Sequence, residues 1–240
     1  MNNNNSFEME EFTRSGLSMS AAFPALMRKV YVWMTLALAI TGITAYGVAT
    51  SPALLSLIFA SKATFFGLII AEFVLVFAIS GAINRLSLST ATLLFVFYSV
   101  VNGATLSSIF LMFSMTTIGK VFFITAGTFA VMAFVGYTTK TDLTSMGKLL
   151  FMALIGLIIA TVVNMFMKSA GFDLILSYIG VLIFVGLTAY DTQKIKHLLQ
   201  LAPDAGEHMQ KMALLGALTL YLDFVNLFLY LLRIFGNNKE

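Results

Sequence analysis

The chain contains no cysteine. Disulfides, thiol nucleophiles and cysteine-based metal centres are therefore excluded. Charge is nearly as scarce: Asp, Glu, Lys and Arg make up 10% of the 240 residues. A soluble domain carries about a quarter, and a chain with so few charges cannot cover a water-facing surface. Residues 1–22 lack a basic stretch followed by an apolar one. No cleaved signal peptide is expected, and the first apolar run serves as its own targeting signal. The run of asparagines at the start is low in complexity, so residues 1–22 read as a disordered polar tail.

Apolar residues, in contrast, make up 59% of the chain, with 23 Phe and 14 Met. That excess needs lipid as its solvent. The single tryptophan, Trp33, stands near the start of the first apolar run, where an interfacial ring is at ease. The net charge is +3, but the basic residues are scattered between apolar runs. They read as loop charge that sets orientation, and no nucleic-acid partner is expected.

A membrane helix needs about 20 mainly apolar residues. Runs of that kind lie near 29–48, 64–83, 91–113, 119–138, 148–167, 174–194 and 212–235. The chain reads as an all-α membrane protein of seven transmembrane helices, one domain over 23–240. The longest connection, 195–211, holds His197 and His208, which read as ordinary loop histidines. With the N-terminus inside, nine Lys and Arg fall on the inner side and five on the outer. The excess favours a cytoplasmic N-terminus in a multi-pass protein of the cell membrane. Ala126, Ala130 and Ala133 in the fourth run, and Gly103 and Ser107 in the third, share helical faces and read as close helix packing.

Carboxylates inside such runs cost at least about 2.5–3.5 kcal/mol at mid-bilayer unless paired, hydrated or neutralised. Glu72 and Asp223 lie well within their runs, and Arg85 and Asp191 near the ends of theirs. In the last run, Gly216, Thr219, Asp223, Asn226, Tyr230 and Arg233 step by three and four. That spacing places them on one helical face, which should turn toward other helices. Arg85, Asp191 and the start of the last span reach the same membrane side, so an Asp191–Arg85 contact is geometrically accessible. Asp223 lies deeper, and a tilt or unwinding would bring the two aspartates together. If they meet, two carboxylates in a low-dielectric site cannot both ionise cheaply, and the pair can hold one shared proton. With Arg85 favouring a charged Asp191, the arrangement would be a pH-biased latch. Glu72, Thr219, Asn226 and Tyr230 are candidates for lining the same pathway. An Asp–Arg pair at a helix end is also a common structural feature, and Thr219 and Asn226 are also natural interhelical hydrogen-bond partners.

The segments AYDTQKIKH at 189–197 and LTLYLDFVNLFLYLLRIFG at 218–236 resemble the Bax inhibitor-1 family. NGATLS at 102–107 and the run ending in Arg85 fit the same pattern. The resemblance implies a fold in which the last helix is central and surrounded by the other six. It also implies a pH-sensitive calcium leak in which Asp191 and Asp223 form the sensor, Arg85 latches one of them, and calcium visits the aspartates transiently. Short loops without appended domains fit a bacterial member. Calcium would then be the permeant ion, and no cofactor is expected. The alternatives are a cation/proton exchanger and a regulatory membrane protein acting through partners whose identity the sequence does not give. An intramembrane aspartyl protease shares the Tyr190–Asp191 pair, but no glycine precedes Asp223 in TLYLD, so enzymatic activity is not expected.

Overall fold

In the computed structural model, backbone is described for residues 4–236 and side chains from Ala22 to Gly236. Nine helices appear among the described residues: α1 (Asn4–Ala49), α2 (Pro52–Phe59), α3 (Lys62–Ala82), α4 (Leu88–Leu106), α5 (Ser108–Met112), α6 (Met115–Thr138), α7 (Thr144–Met167), α8 (Ala170–Gln200) and α9 (Glu207–Gly236). Seven stretches are long and apolar enough to cross a bilayer: 22–49, 62–82, 88–112, 115–138, 144–167, 170–200 and 207–236. Each matches one of the seven expected runs, and two of the runs end one residue beyond their stretch. The exposed apolar side chains include Phe166 (84% exposed), Phe123 (75%) and Ile43 (74%). Lipid is the only solvent that tolerates such a surface. The protein is a multi-pass membrane protein.

Serines set most of the helix starts. Ser51, Ser61, Ser87, Ser114 and Ser169 each accept a hydrogen bond from a backbone N–H in the first turn of α2, α3, α4, α6 and α8. These bonds satisfy donors that a helix N-terminus otherwise leaves open. The third span is broken where the Ser107 N–H bonds to the Ala104 carbonyl, which ends α4 and starts α5.

Two expectations change here. The connection expected over 195–211 is mostly helix: α8 runs on to Gln200 and α9 begins at Glu207, leaving 201–206 between them. KIKHLLQ has no breaker, so a helix that leaves the apolar layer simply continues. The expected disordered tail lies partly outside the described residues, at 1–3. The backbone of the remainder continues α1 as helix.

Span α9 is the most buried, 67% against 6–39% for the others. It packs against α1, α4, α6 and α8, while α3 rests on α4 and α7 on α8. The last helix therefore lies inside, with its main packing against four neighbours.

At Gly136 of α6 an added Cβ would run into the Ala189 carbonyl oxygen of α8. Gly136→Ala must push the two backbones apart, and it is expected to cost about 1–3 kcal/mol. Gly127→Ala, on the same helix with open space around it, is expected to stay within about 0.5 kcal/mol. Thermal unfolding of both variants in detergent checks the contrast.

Candidate functional site

The polar stripe of α9 faces α8, and the two helices run antiparallel like a zipper. Gly216 lies against Ile195. One turn deeper on α8, Asp191 meets Asp223 with the two carboxyls within hydrogen-bonding reach. Beyond them Tyr230 stacks on Phe184 at 5.8 Å and fills the space that a side chain at Gly180 would occupy. At the far end the Arg233 guanidinium lies 3.7 Å from the Asp173 carboxylate, both about half exposed, and 5.5 Å over the Tyr230 ring.

The aspartate pair needs no unwinding. Asp191 was expected near the end of its span, but α8 extends nine residues beyond it, to Gln200. The extension sets Asp191 at the depth of Asp223. Asp223 is 5% exposed, and its Oδ2 atom is buried without a hydrogen-bond partner among the described protein groups. A proton held between the two carboxyls would satisfy such an oxygen. The cation whose field acts on Asp191 is Lys194, one turn along α8.

Arg85 is placed elsewhere. It lies exposed in the turn that follows α3, and among the described residues it makes no ion pair with Asp191; the Arg233–Asp173 pair lies at the opposite end of α9. The buried cation near that turn is Lys211, which donates to the Leu86 carbonyl at 3.0 Å. Glu207 caps the start of α4 by accepting from the Leu88 N–H at 3.0 Å. The first turns of α9 are thus stapled to the α3–α4 turn.

Thr219 and Asn226 bond within their own helix, to the Leu215 carbonyl at 3.1 Å and the Leu222 carbonyl at 2.8 Å. Glu72 is not with the aspartates either. Its Oε2 accepts from Asn102 Nδ2 at 3.2 Å. Asn102 Oδ1 in turn accepts from the Tyr221 hydroxyl at 2.8 Å, which lies 2.7 Å from Thr41 Oγ1. This second polar network links α3, α4, α9 and α1. Tyr221 is two residues before Asp223, so it projects from the opposite face of α9. Sequence reasoning passed over Tyr221, Asn102 and Thr41 as members of a network. The available signal was Glu72, a carboxylate in lipid that must find a donor.

The turn beside the aspartate end of α8 is also fixed. Gln193 accepts from the Leu143 N–H and donates to the Thr141 carbonyl, both at 2.8 Å. Outside the membrane layer, Asp142 accepts from the hydroxyl and backbone N–H of Thr144. These bonds hold its carboxyl below the usual range. Among the described residues no three His, Asp or Glu gather as a metal cage. The aspartate pair alone offers few oxygens to a hard cation.

Tyr221→Phe would leave Asn102 Oδ1 without its donor in a buried site. It is expected to cost about 1–2 kcal/mol. Asn226→Leu removes only an intrahelical bond and is expected to stay below about 0.5 kcal/mol. Thermal melting in detergent compares them.

The chain matches the family described as inhibitor of apoptosis-promoting Bax1 over residues 24–240. It is 46% identical to the inner membrane protein YbhL of Escherichia coli, over 96% of this chain and all of that protein. A protein of Borreliella burgdorferi is 46% identical over 89% of this chain and 92% of its own length. A protein of Rickettsia prowazekii is 43% identical over 89% of this chain and 90% of its own. A match over nearly the whole chain, with every span included, leaves no room for a shared fragment alone: the protein belongs to the Bax inhibitor-1 family.

Proposed function

We propose that the protein is a pH-sensitive, calcium-permeable leak channel of the inner membrane, with its N-terminus in the cytoplasm. The observation that supports this most directly is the meeting of Asp191 and Asp223 between α8 and α9, with one buried carboxyl oxygen left over. The inner-membrane relative supports the location, and the lysine and arginine excess supports the orientation.

In this reading a proton shared by the two carboxyls holds α8 against α9. Loss of the proton leaves two like charges in a low-dielectric contact, which is relieved by separation, by water or by a cation. Calcium prefers oxygen ligands. Two carboxylates bind it weakly enough for it to leave again, as permeation requires. Arg85 stands outside the pair in this conformation, so it would act as a latch only after the turn that carries it moves inward. Glu72, in its own network, sets the packing of α3 against α4 rather than lining the aspartate contact.

Liposomes with a trapped calcium dye test the proposal. Wild-type flux is expected to change between about pH 6 and pH 8, and Asp191→Asn and Asp223→Asn are each expected to flatten that dependence. Arg85→Gln is expected to shift the dependence without abolishing it. Calcium flux no faster than in empty liposomes at every pH rejects the channel. Saturable flux that drives protons the other way would point to an exchanger instead.

A further inference from the structure

Between α1 and α6 the bundle is not closed. The two helices meet at one end, where Phe23 stacks on Tyr137 with centroids 6.3 Å apart. Beyond that contact a groove of about 660 Å³ separates them. Ala126, Ala130 and Ala133 lie on its α6 side. Ala133 is packed into the core and Ala126 against it, but Ala130 is exposed and its small side chain leaves a space. The walls are apolar, with Met34 and Leu38 from α1, Phe122 and Phe129 from α6, and Phe224 of α9. Phe224 is fixed by Phe122 and Phe129, 5.6 and 5.5 Å away.

The polar lining gathers toward one end. Arg28, Tyr31 and Tyr137 belong to the face where α1 enters and α6 leaves the bundle. Arg28 is exposed there. Its neighbours Lys29 and Lys196 are engaged, Lys29 with Gln210 Oε1 and Lys196 with the Tyr137 carbonyl, each at 2.7 Å.

Shape selects the occupant. The lining on α1 runs from Pro24 to Leu38, about 21 Å at 1.5 Å per residue. A volume of 660 Å³ spread over that length is a narrow furrow, open along its lipid-facing side. A helix with its side chains is about 10–12 Å wide and would lie across the mouth of such a furrow, whereas a single hydrocarbon chain lies inside it. The length also spans one leaflet's hydrocarbon, about 15 Å, with its headgroup layer above. A guanidinium at the interfacial end is suited to a phosphate, and basic pockets between membrane helices hold anionic headgroups in this way.

We propose that the α1–α6 groove binds one acyl chain of an anionic glycerophospholipid, with its phosphate at Arg28. The site is distinct from the aspartate pair, although Phe224 of its wall follows Asp223 directly in the chain. The proposal does not depend on the leak activity.

Native mass spectrometry of the full chain in detergent, titrated with phosphatidylglycerol or phosphatidylcholine, tests it. One retained phosphatidylglycerol per chain is expected, bound about tenfold more tightly than phosphatidylcholine. Ala130→Trp fills the groove from an exposed position and is expected to weaken retention about tenfold with the melting temperature preserved. Arg28→Ala is expected to erase the preference for phosphatidylglycerol and to leave phosphatidylcholine binding unchanged. Equal retention by wild type and a folded Ala130→Trp overturns the site, as does a preference that survives Arg28→Ala. A dimer in place of bound lipid overturns it too. Should Ala130→Trp fail to fold, phosphatidylglycerol with a photoreactive acyl chain decides on wild type. Adducts concentrated on α1 and α6 support the groove, and adducts spread evenly over α3 and α7 overturn it.

Discussion

A bilayer gives buried polar groups no water, so each must find its partner inside the protein. α9 carries this constraint for the whole bundle. Asp223 turns to α8 and finds Asp191. Tyr221 turns the other way and finds Asn102 and Thr41. A helix with polar groups on opposite faces cannot lie at the lipid boundary, and α9 is accordingly the most buried span. The neighbours follow from those partners: α8 supplies an aspartate, α4 an asparagine and α1 a threonine. α3 reaches α9 only through Asn102 of α4, and α7 only through Thr161 at Tyr230, and both stay outside, against α4 and α8.

Family membership and the aspartate contact bear on different questions. The similarity to YbhL covers 96% of the chain and supports the fold and its setting in a membrane. It says nothing by itself about an ion. What the geometry adds is a pair of acids at a depth where charge is expensive, in the interface between the two longest-packed spans. Pairs of this kind serve proton-linked switching because a single proton decides between attraction and repulsion. The second network has the opposite character. It is built mostly from neutral hydroxyl and amide groups, with one carboxylate at its outer end. Its hydrogen bonds hold α1, α4 and α9 together whatever the state of the aspartates.

The spans were legible because hydropathy acts over 20 residues at once and lipid punishes any error. The stripe on α9 was legible for the same reason: a polar residue every three or four positions stands out against Leu and Phe. The depth of Asp191 was not, because the apolar run ends before the helix does, and nothing in KIKHLLQ stops a helix. Tyr221 was hidden by its own amphipathic nature, since a tyrosine in an apolar run looks like packing until its hydroxyl has a partner. Of the three alanines read as a packing face, Ala126 and Ala133 pack and Ala130 does not. Small residues permit close approach, but whether a neighbour arrives depends on the other contacts of α1, which draw it toward α4 and α9. The sequence put Arg85 at the same end of the bundle as the start of α9, and the Lys211–Leu86 bond joins the two there. Its distance from Asp191 depends on a turn that periodicity does not describe.

The link between α8 and α9 is only residues 201–206, and the first turns of α9 are stapled to the α3–α4 turn by Glu207 and Lys211. One end of the hairpin is therefore a fixed pivot, and the far end is closed by the Arg233–Asp173 pair. α9 has 30 residues, or about 45 Å of rod at 1.5 Å each. A tilt of about 5° at the pivot carries the far end by about 4 Å over that length. Arg233 stands near the far end of that rod, so under the proposed gating a repulsion between the two aspartates halfway along it would move the Arg233–Asp173 pair further than the aspartates themselves.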